Sequence, residues 1–517
     1  MFSIHKIVTE NTDYFSLFFT HLHHSVNDIK TFIYQHILKM SYFLIHYRNV
    51  QICTHVDDDI IITMQNTTTI QDLVHVTEKL PWGGEIVVLN TGSVITSEDT
   101  AMLQALHSRD PKGIQSHLKK LAEKGSGNMM ASFYVGYGHK SIGDCGTAVI
   151  FIEGVSMLAA KAIQDSQLYN GQECSTRYID FKNQAFFNPE SQTNVDNTIY
   201  TKLRNAYVAW LPEITEHVKS QNPKEENEEQ VMYEKAAKAR AFDILRGFLP
   251  CGATTNLAWS GTLRHIADRL MYLRNHPLQE VRTIALHIKE AVSKAFPNSF
   301  GHKMYDGTEA FNNTWMNEGY YNKRTNLTDN MTLVHDGIDK NLLQEYRSFI
   351  DTRPPKTELP KPLAISGTSR FACTLDFGSW RDMQRHRAIV QLMPKITTTY
   401  GFEEWYIKQL PKHFQDSATT LLNEIESELS SIPENERQYF IPMGYKVPIL
   451  FSGDLPALVY FTELRANRFT HPTLQHKAVQ LADILEKTYG IKLHIDRADI
   501  GRFDSKRGMQ DITEKNK

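Results

Sequence analysis

The chain has 517 residues, with 56 Lys and Arg against 59 Asp and Glu for a net charge of -3, and 41% of it is hydrophobic. That balance excludes disorder, collagen and coiled coil, and supplies two or more cores of about 100–200 residues each. It gives no global field to gather nucleic acid or an anionic membrane, so an anionic ligand has to be held by a local cluster of Arg, Lys or backbone N–H groups.

Taken from the N-terminus, residues 1–80 read as a soluble extension of unassigned role, and Met40 could serve as an alternative start. The apolar runs Phe15–Phe19 and Phe32–Tyr47 are broken by His, Gln and Lys and fall short of the roughly 18 residues of a membrane span. His21, His23 and His24 with Asp57–Asp59 have no spacing that fixes a coordination geometry, so no metal is expected. The cysteines (Cys53, Cys145, Cys174, Cys251 and Cys373) are scattered and form no CxxC pair, which argues against a disulfide framework or a zinc ribbon and for a reducing cytoplasm.

Val- and Ile-rich runs predict strands at Glu85–Asn90, Thr147–Ile152 and Phe371–Phe377. Leu263, Ile266, Leu270 and Leu273 fall on one helical face. Behind Pro277, Leu278, Val281, Ala285, Ile288 and Val292 do the same, up to Phe296-Pro297. Behind Pro472, Leu474, Ala478, Leu481 and Leu485 repeat the pattern. The repetition extends further: Phe248, Pro250, Gly252, Ser260, Gly261 and Leu263 recur as Phe440, Pro442, Gly444, Ser452, Gly453 and Leu455 at a constant offset of 192. Two diverged copies of one helix-rich unit explain this pattern. The polar stretch 298–339 reads as their connection, with the boundary near residue 330. The expected organisation is an extension over 1–80, a first unit over 81–330 and a second over 331–517, each α+β with a mixed or antiparallel sheet.

Three short segments could carry chemistry. Gly138-His139-Lys140-Ser141 could be a turn that brings backbone and an imidazole to a ligand, or a plain Gly-rich turn. Glu173-Cys174-Ser175-Thr176-Arg177-Tyr178 offers a carboxylate, a hydroxyl and a guanidinium, the mixture that grips phosphate and a base edge, although a surface ion-pair loop would look the same. Arg385-His386-Arg387 is the densest cationic triplet, which composition alone reads as a solvated helix face. No dinucleotide fingerprint or phosphate loop is present: Gly136 and Gly138 are not followed by a glycine at 141.

Together these segments resemble the flavin-dependent thymidylate synthases, over roughly residues 86–296 and 336–490, as two fused units. The family signature is an Arg-His-Arg triplet followed by a Ser-Gly-Arg-Tyr-like segment, with an upstream Gly-His-x-Ser/Thr and a downstream Leu-Arg helix. Here it is split. The first copy keeps His139, Ser141 and Glu173–Tyr178 but has Ile163–Gln167, without a cation, where the triplet should stand. The second keeps Arg385-His386-Arg387 but reads Thr397-Thr398-Thr399-Tyr400 later, and Gln438 replaces the counterpart of Arg246.

The resemblance implies reductive methylation of dUMP to dTMP with FAD, NADPH and methylenetetrahydrofolate, in sites composed from both units. Glu173, Ser175, Arg177, Arg246 and Arg274 would hold dUMP. His139, Ser141, Arg385, His386 and Arg387 would contact the flavin, and Arg385, Arg387, Ser175 and Arg274 would serve catalysis. A homodimer, a pseudo-tetramer of units, would be the working assembly, with small-molecule partners and no nucleic acid or membrane. Two rival expectations stand beside it: a catalytically reduced nucleotide- or flavin-binding protein of the same fold, and a related enzyme modifying C5 of a pyrimidine nucleotide.

Overall fold

The computed structural model describes residues 75–89, 95–109, 114–176, 179, 181–190, 197–495, 497 and 500–506. Nearly all of the expected extension therefore lies outside the described residues, and Val74–Lys517 is one compact unit.

Alternation decides the strands. In β3 (Thr147–Ser156), Ala148, Ile150 and Ile152 face the core, and in β2 (Glu85–Leu89), Ile86 and Val88 do so. With β1 (His75–Lys79), β4 (Asn170–Glu173) and β5 (Thr254–Thr262) they form an antiparallel sheet of order β1-β2-β3-β5-β4. A second antiparallel sheet has the order β7-β8-β11-β9, from β7 (Thr332–Asp336), β8 (Thr368–Asp376), β9 (Val390–Gln391) and β11 (Lys446–Asp454). A short parallel pair joins β6 (Tyr321–Asn322) to β10 (Met393–Pro394).

α-Helices of seven or more residues cover and link the sheets: α1 (Ser97–His107), α2 (Ile114–Lys124), α3 (Met157–Gln164), α4 (Thr198–Gln221), α5 (Gln230–Leu245), α6 (Leu263–Leu273), α7 (Gln279–Ala295), α8 (Asp306–Gly319), α9 (Phe377–Met383), α10 (Lys412–Leu429), α11 (Glu434–Phe440), α12 (Leu455–Arg465) and α13 (Pro472–Tyr489). The molecule is thus α+β and helix-rich. Every apolar position expected to face inward on α6, α7 and α13 is buried, as is Leu278 just before α7.

Strand runs directly into helix four times, each time through a capping side chain. Ser156 and Thr262 accept from Ala159 N and His265 N in the first half, and Asp376 and Asp454 from Ser379 N and Ala457 N in the second. These caps are equivalent pairs. Thr254 faces Ser156 and Lys446 faces Asp376, so one strand repeats at an offset of 192 and its neighbour at 220. Trp259 facing Gly171 and Phe451 facing Gln391 repeat the same two offsets. The one difference in β3 is a bulge between Ile152 and Val155, where Gly154 takes φ 66°.

The halves meet about an approximate two-fold axis. Pro250 and Pro442, one offset apart, bridge to each other. Around them Cys251 N donates to Ile441 O at 3.0 Å and Met443 N to Leu249 O at 2.8 Å, while Gly252 N donates to Tyr439 O at 2.6 Å and Gly444 N to Gly247 O at 2.8 Å. Each bond of a pair becomes the other when 192 is added or subtracted. The core is continuous from Leu80 to Leu493, so no packing gap marks residue 330. The stretch read as a polar connection contains α8 and β7. Its weak periodicity reflects how little it buries, since α8 covers only Asn312 and Met316.

Candidate functional site

Between the halves lies a cleft of about 460 Å³, lined by Gln164 and Tyr169–Glu173 on one side and by Gln384, Arg385 and Arg387 on the other. The triplet follows α9 and the facing wall is β4, an edge strand held close to β5. A Cβ on Gly171 would sit 1.8 Å from Ala258 O, which is why this wall carries a glycine.

The floor is a buried ion cluster. Glu173 receives Lys161 at 2.7 Å and Gln164 Nε2 at 2.9 Å on one oxygen and Arg381 on the other. Burial would raise the Glu173 carboxyl, but Arg381 and then Lys161 outweigh it and hold it down to about 2. Burial pushes the Lys161 ammonium down to about 8 in spite of Glu173. Lys161 and Arg381 are counterparts, 220 apart, contributed by α3 and α9.

Above this floor, Arg387 donates to the Tyr169 carbonyl across the cleft. Arg385 is half exposed, with Asp382 at 3.5 Å. Gln384 donates to Lys161 O at 2.9 Å, while its buried Oε1 has no partner among the described residues. The cleft therefore presents guanidinium donors over a floor of one carboxylate and two cations, which suits a ligand with anionic groups.

The remaining expected residues are placed differently. Glu173 lines the cleft, but both of its oxygens are committed to the ion cluster, so the grip on substrate expected of it is replaced by a role in the floor. Ser175 is half-buried two residues past β4 and does not line this cleft, and Arg177 lies outside the described residues. Arg246 is buried against Ser379 Oγ at 3.1 Å, with Asp382 at 3.9 Å, and does not reach the cleft lining. Arg274 is clasped by Glu309 of α8, at 2.7 Å from Nε and also through Nη2.

His386 turns away from this cleft into a neighbouring one of about 500 Å³, beside Arg465 and Tyr460. Its Nε2 accepts from Arg465 Nε at 2.7 Å. Burial, then the Arg465 and Arg385 charges, push its pKa down to about 3, so the ring is neutral. His139 and Ser141 are exposed on the first half, where His139 stacks near Phe133 and Tyr137, and neither lines the cleft.

Sequence reasoning missed Lys161, Arg381 and Gln384. A signal existed for Lys161, a lone cation in the run Met157–Ile163 that is otherwise apolar.

Fold and site define a helix-rich α+β protein with two antiparallel sheets and a cationic cleft between them. The family model described as thymidylate synthase complementing protein matches residues 90–298. The chain is 25% identical over 406 residues to a UPF0159 protein of Chlamydia muridarum, covering 67% of this chain and 76% of the relative. It is 26% identical over 391 residues to one of Chlamydia pneumoniae, covering 65% and 73%. With a UPF0159 protein of Thermoplasma acidophilum it shares 23% over 463 residues, 74% and 92% of the two chains. No helix among the described residues is long and apolar enough to cross a membrane.

Proposed function

We propose that the chain is a flavin-dependent thymidylate synthase of two fused, diverged family units, making dTMP from dUMP in the cytoplasm with FAD, NADPH and methylenetetrahydrofolate. The observation that carries this reading is the meeting of Arg385 and Arg387 from one half with β4 from the other. Arg385 and Arg387 would hold phosphate or anionic ring oxygens of nucleotide and flavin. Bound flavin would supply the redox chemistry, while these residues orient the ligands and stabilise charge. The exposed His139 and Ser141 would complete a flavin site only from a second copy, in a homodimer.

Purified protein with FAD, NADPH, methylenetetrahydrofolate and C5-tritiated dUMP should release tritium and yield dTMP. A protein that binds flavin but releases no tritium would refute synthase activity. A second reading, a ligand-binding relative with reduced catalysis, is favoured by one observation: Glu173 and Arg274 are held by partners inside the protein, and Arg246 is buried against Ser379. A product of other mass from dUMP would identify a related C5-modifying enzyme instead.

A further inference from the structure

The approximate two-fold axis generates a second cleft, and its contents differ. Applying the same offsets, the counterparts of Arg385, Glu173 and Arg246 are Asp165, Met393 and Gln438. A single segment of the connection reaches all three. The buried Tyr320 hydroxyl and the Asp165 carboxyl influence each other's charge, although the hydroxyl makes no hydrogen bond among the described residues. Tyr321 and Asn322 pair in parallel with Met393 and Pro394, and Lys395 N donates to Asn322 O at 3.1 Å. The Tyr321 hydroxyl lies beside Gln438. Tyr320 and Asn322 are buried, Asn322 donates to Pro448 O at 3.0 Å, and His276 meets the Tyr320 ring edge-on at 4.9 Å. Upstream, Glu309 anchors α8 to Arg274 and also accepts from Asn275 at 3.2 Å.

We propose that residues 320–322, anchored through α8, are a built-in occupant of this second cleft, so that of the two positions related by the axis one stays open and the other is permanently filled by the chain's own tyrosines. The chemistry of the two clefts agrees with this. Where the open side carries Arg385 above the Glu173, Lys161 and Arg381 cluster, the filled side has Asp165, already paired with Arg269 at 4.0 Å, and the thioether of Met393, which leaves no free cation of that set for an anion and suits an aromatic plug. The filling itself follows from geometry; that the open cleft takes flavin and nucleotide rests on the reading above.

Hydrogen–deuterium exchange on the full chain, with and without FAD and dUMP, tests it. Peptides covering 320–322 and 393–396 should be protected equally in both conditions, with rates changed less than about twofold. Peptides covering 170–176 and 385–391 should slow by about tenfold or more on addition of FAD and dUMP. Fast exchange at 320–322 without ligand, or release of that segment on adding FAD, would overturn the plug. Protection at 320–322 with no response at 170–176 would support the plug and count against the flavin reading alone. Equilibrium dialysis of FAD should saturate at one per chain, and two per chain would overturn the proposal.

Discussion

Replacing Glu173 by Gln should expose how the ion cluster under the cleft is balanced. The fall of its pKa from 4.5 to about 2, at 1.36 kcal/mol per unit, corresponds to ~3 kcal/mol in favour of the folded state at neutral pH. The fall of Lys161 from 10.5 to about 8 is of the same size with the opposite sign, because the folded state holds that proton less tightly than the unfolded chain. The two nearly cancel, as expected of buried ion pairs. Glu173→Gln alone strands two buried cations and should lower stability by ~3 kcal/mol, read from the midpoint of urea unfolding at pH 7.

Adding Lys161→Met should restore at least half of that loss. The Glu173 contribution is present above pH 4.5 and lost as the pH falls through the window down to about 2, while the Lys161 penalty fades as the pH rises from about 8 to 10.5. Wild-type stability should therefore rise across the alkaline window, and Lys161→Met should remove the rise. Additivity of the two substitutions within about 0.5 kcal/mol would refute the cluster as described.

Other predictions follow from the same geometry. Arg385→Ala or Arg387→Ala should weaken FAD or dUMP binding by about 10- to 100-fold in fluorescence titrations, the loss of one charged hydrogen-bonding group. His386, with a pKa near 3 against an ordinary 6.5, costs stability as the pH falls between those values; His386→Gln, which keeps an acceptor for Arg465, should abolish roughly 4 kcal/mol of acid destabilisation in urea titrations from pH 7 to 3. Glu309→Gln should destabilise the protein by about 1 kcal/mol through the loss of the Arg274 pair, with FAD affinity unchanged, as checked by thermal melting beside a binding titration.

Much of the frame was legible because its signals are local. The inward faces of α6, α7 and α13 were readable from apolar spacing, and the 192-residue repeat from Pro250 and Pro442 with their flanking glycines. The split of the signature pointed to a pocket shared by both halves, and Arg385 and Arg387 do face Tyr169–Glu173. What stayed hidden depends on partners far apart in sequence. Glu173 is neutralised by Lys161 and Arg381, 220 residues from each other, so no window around Glu173 could show that its oxygens are occupied. Arg274 is taken by Glu309, from a helix whose polar surface reads as loop. Strand β7 pairs at a sheet edge with little burial, and so has weak alternation.

The central claim is that the Arg385–Arg387 wall and the β4 wall of one chain form one ligand cleft. It is tested most directly by mixing two damaged chains, Arg387→Ala and Gln172→Trp, and measuring bound FAD. If the cleft is formed within a chain, an equal mixture refolded together binds no more than the average of the two variants alone. If the walls come from different chains of a dimer, about a quarter of the sites are intact and binding returns to that level, which would contradict the account.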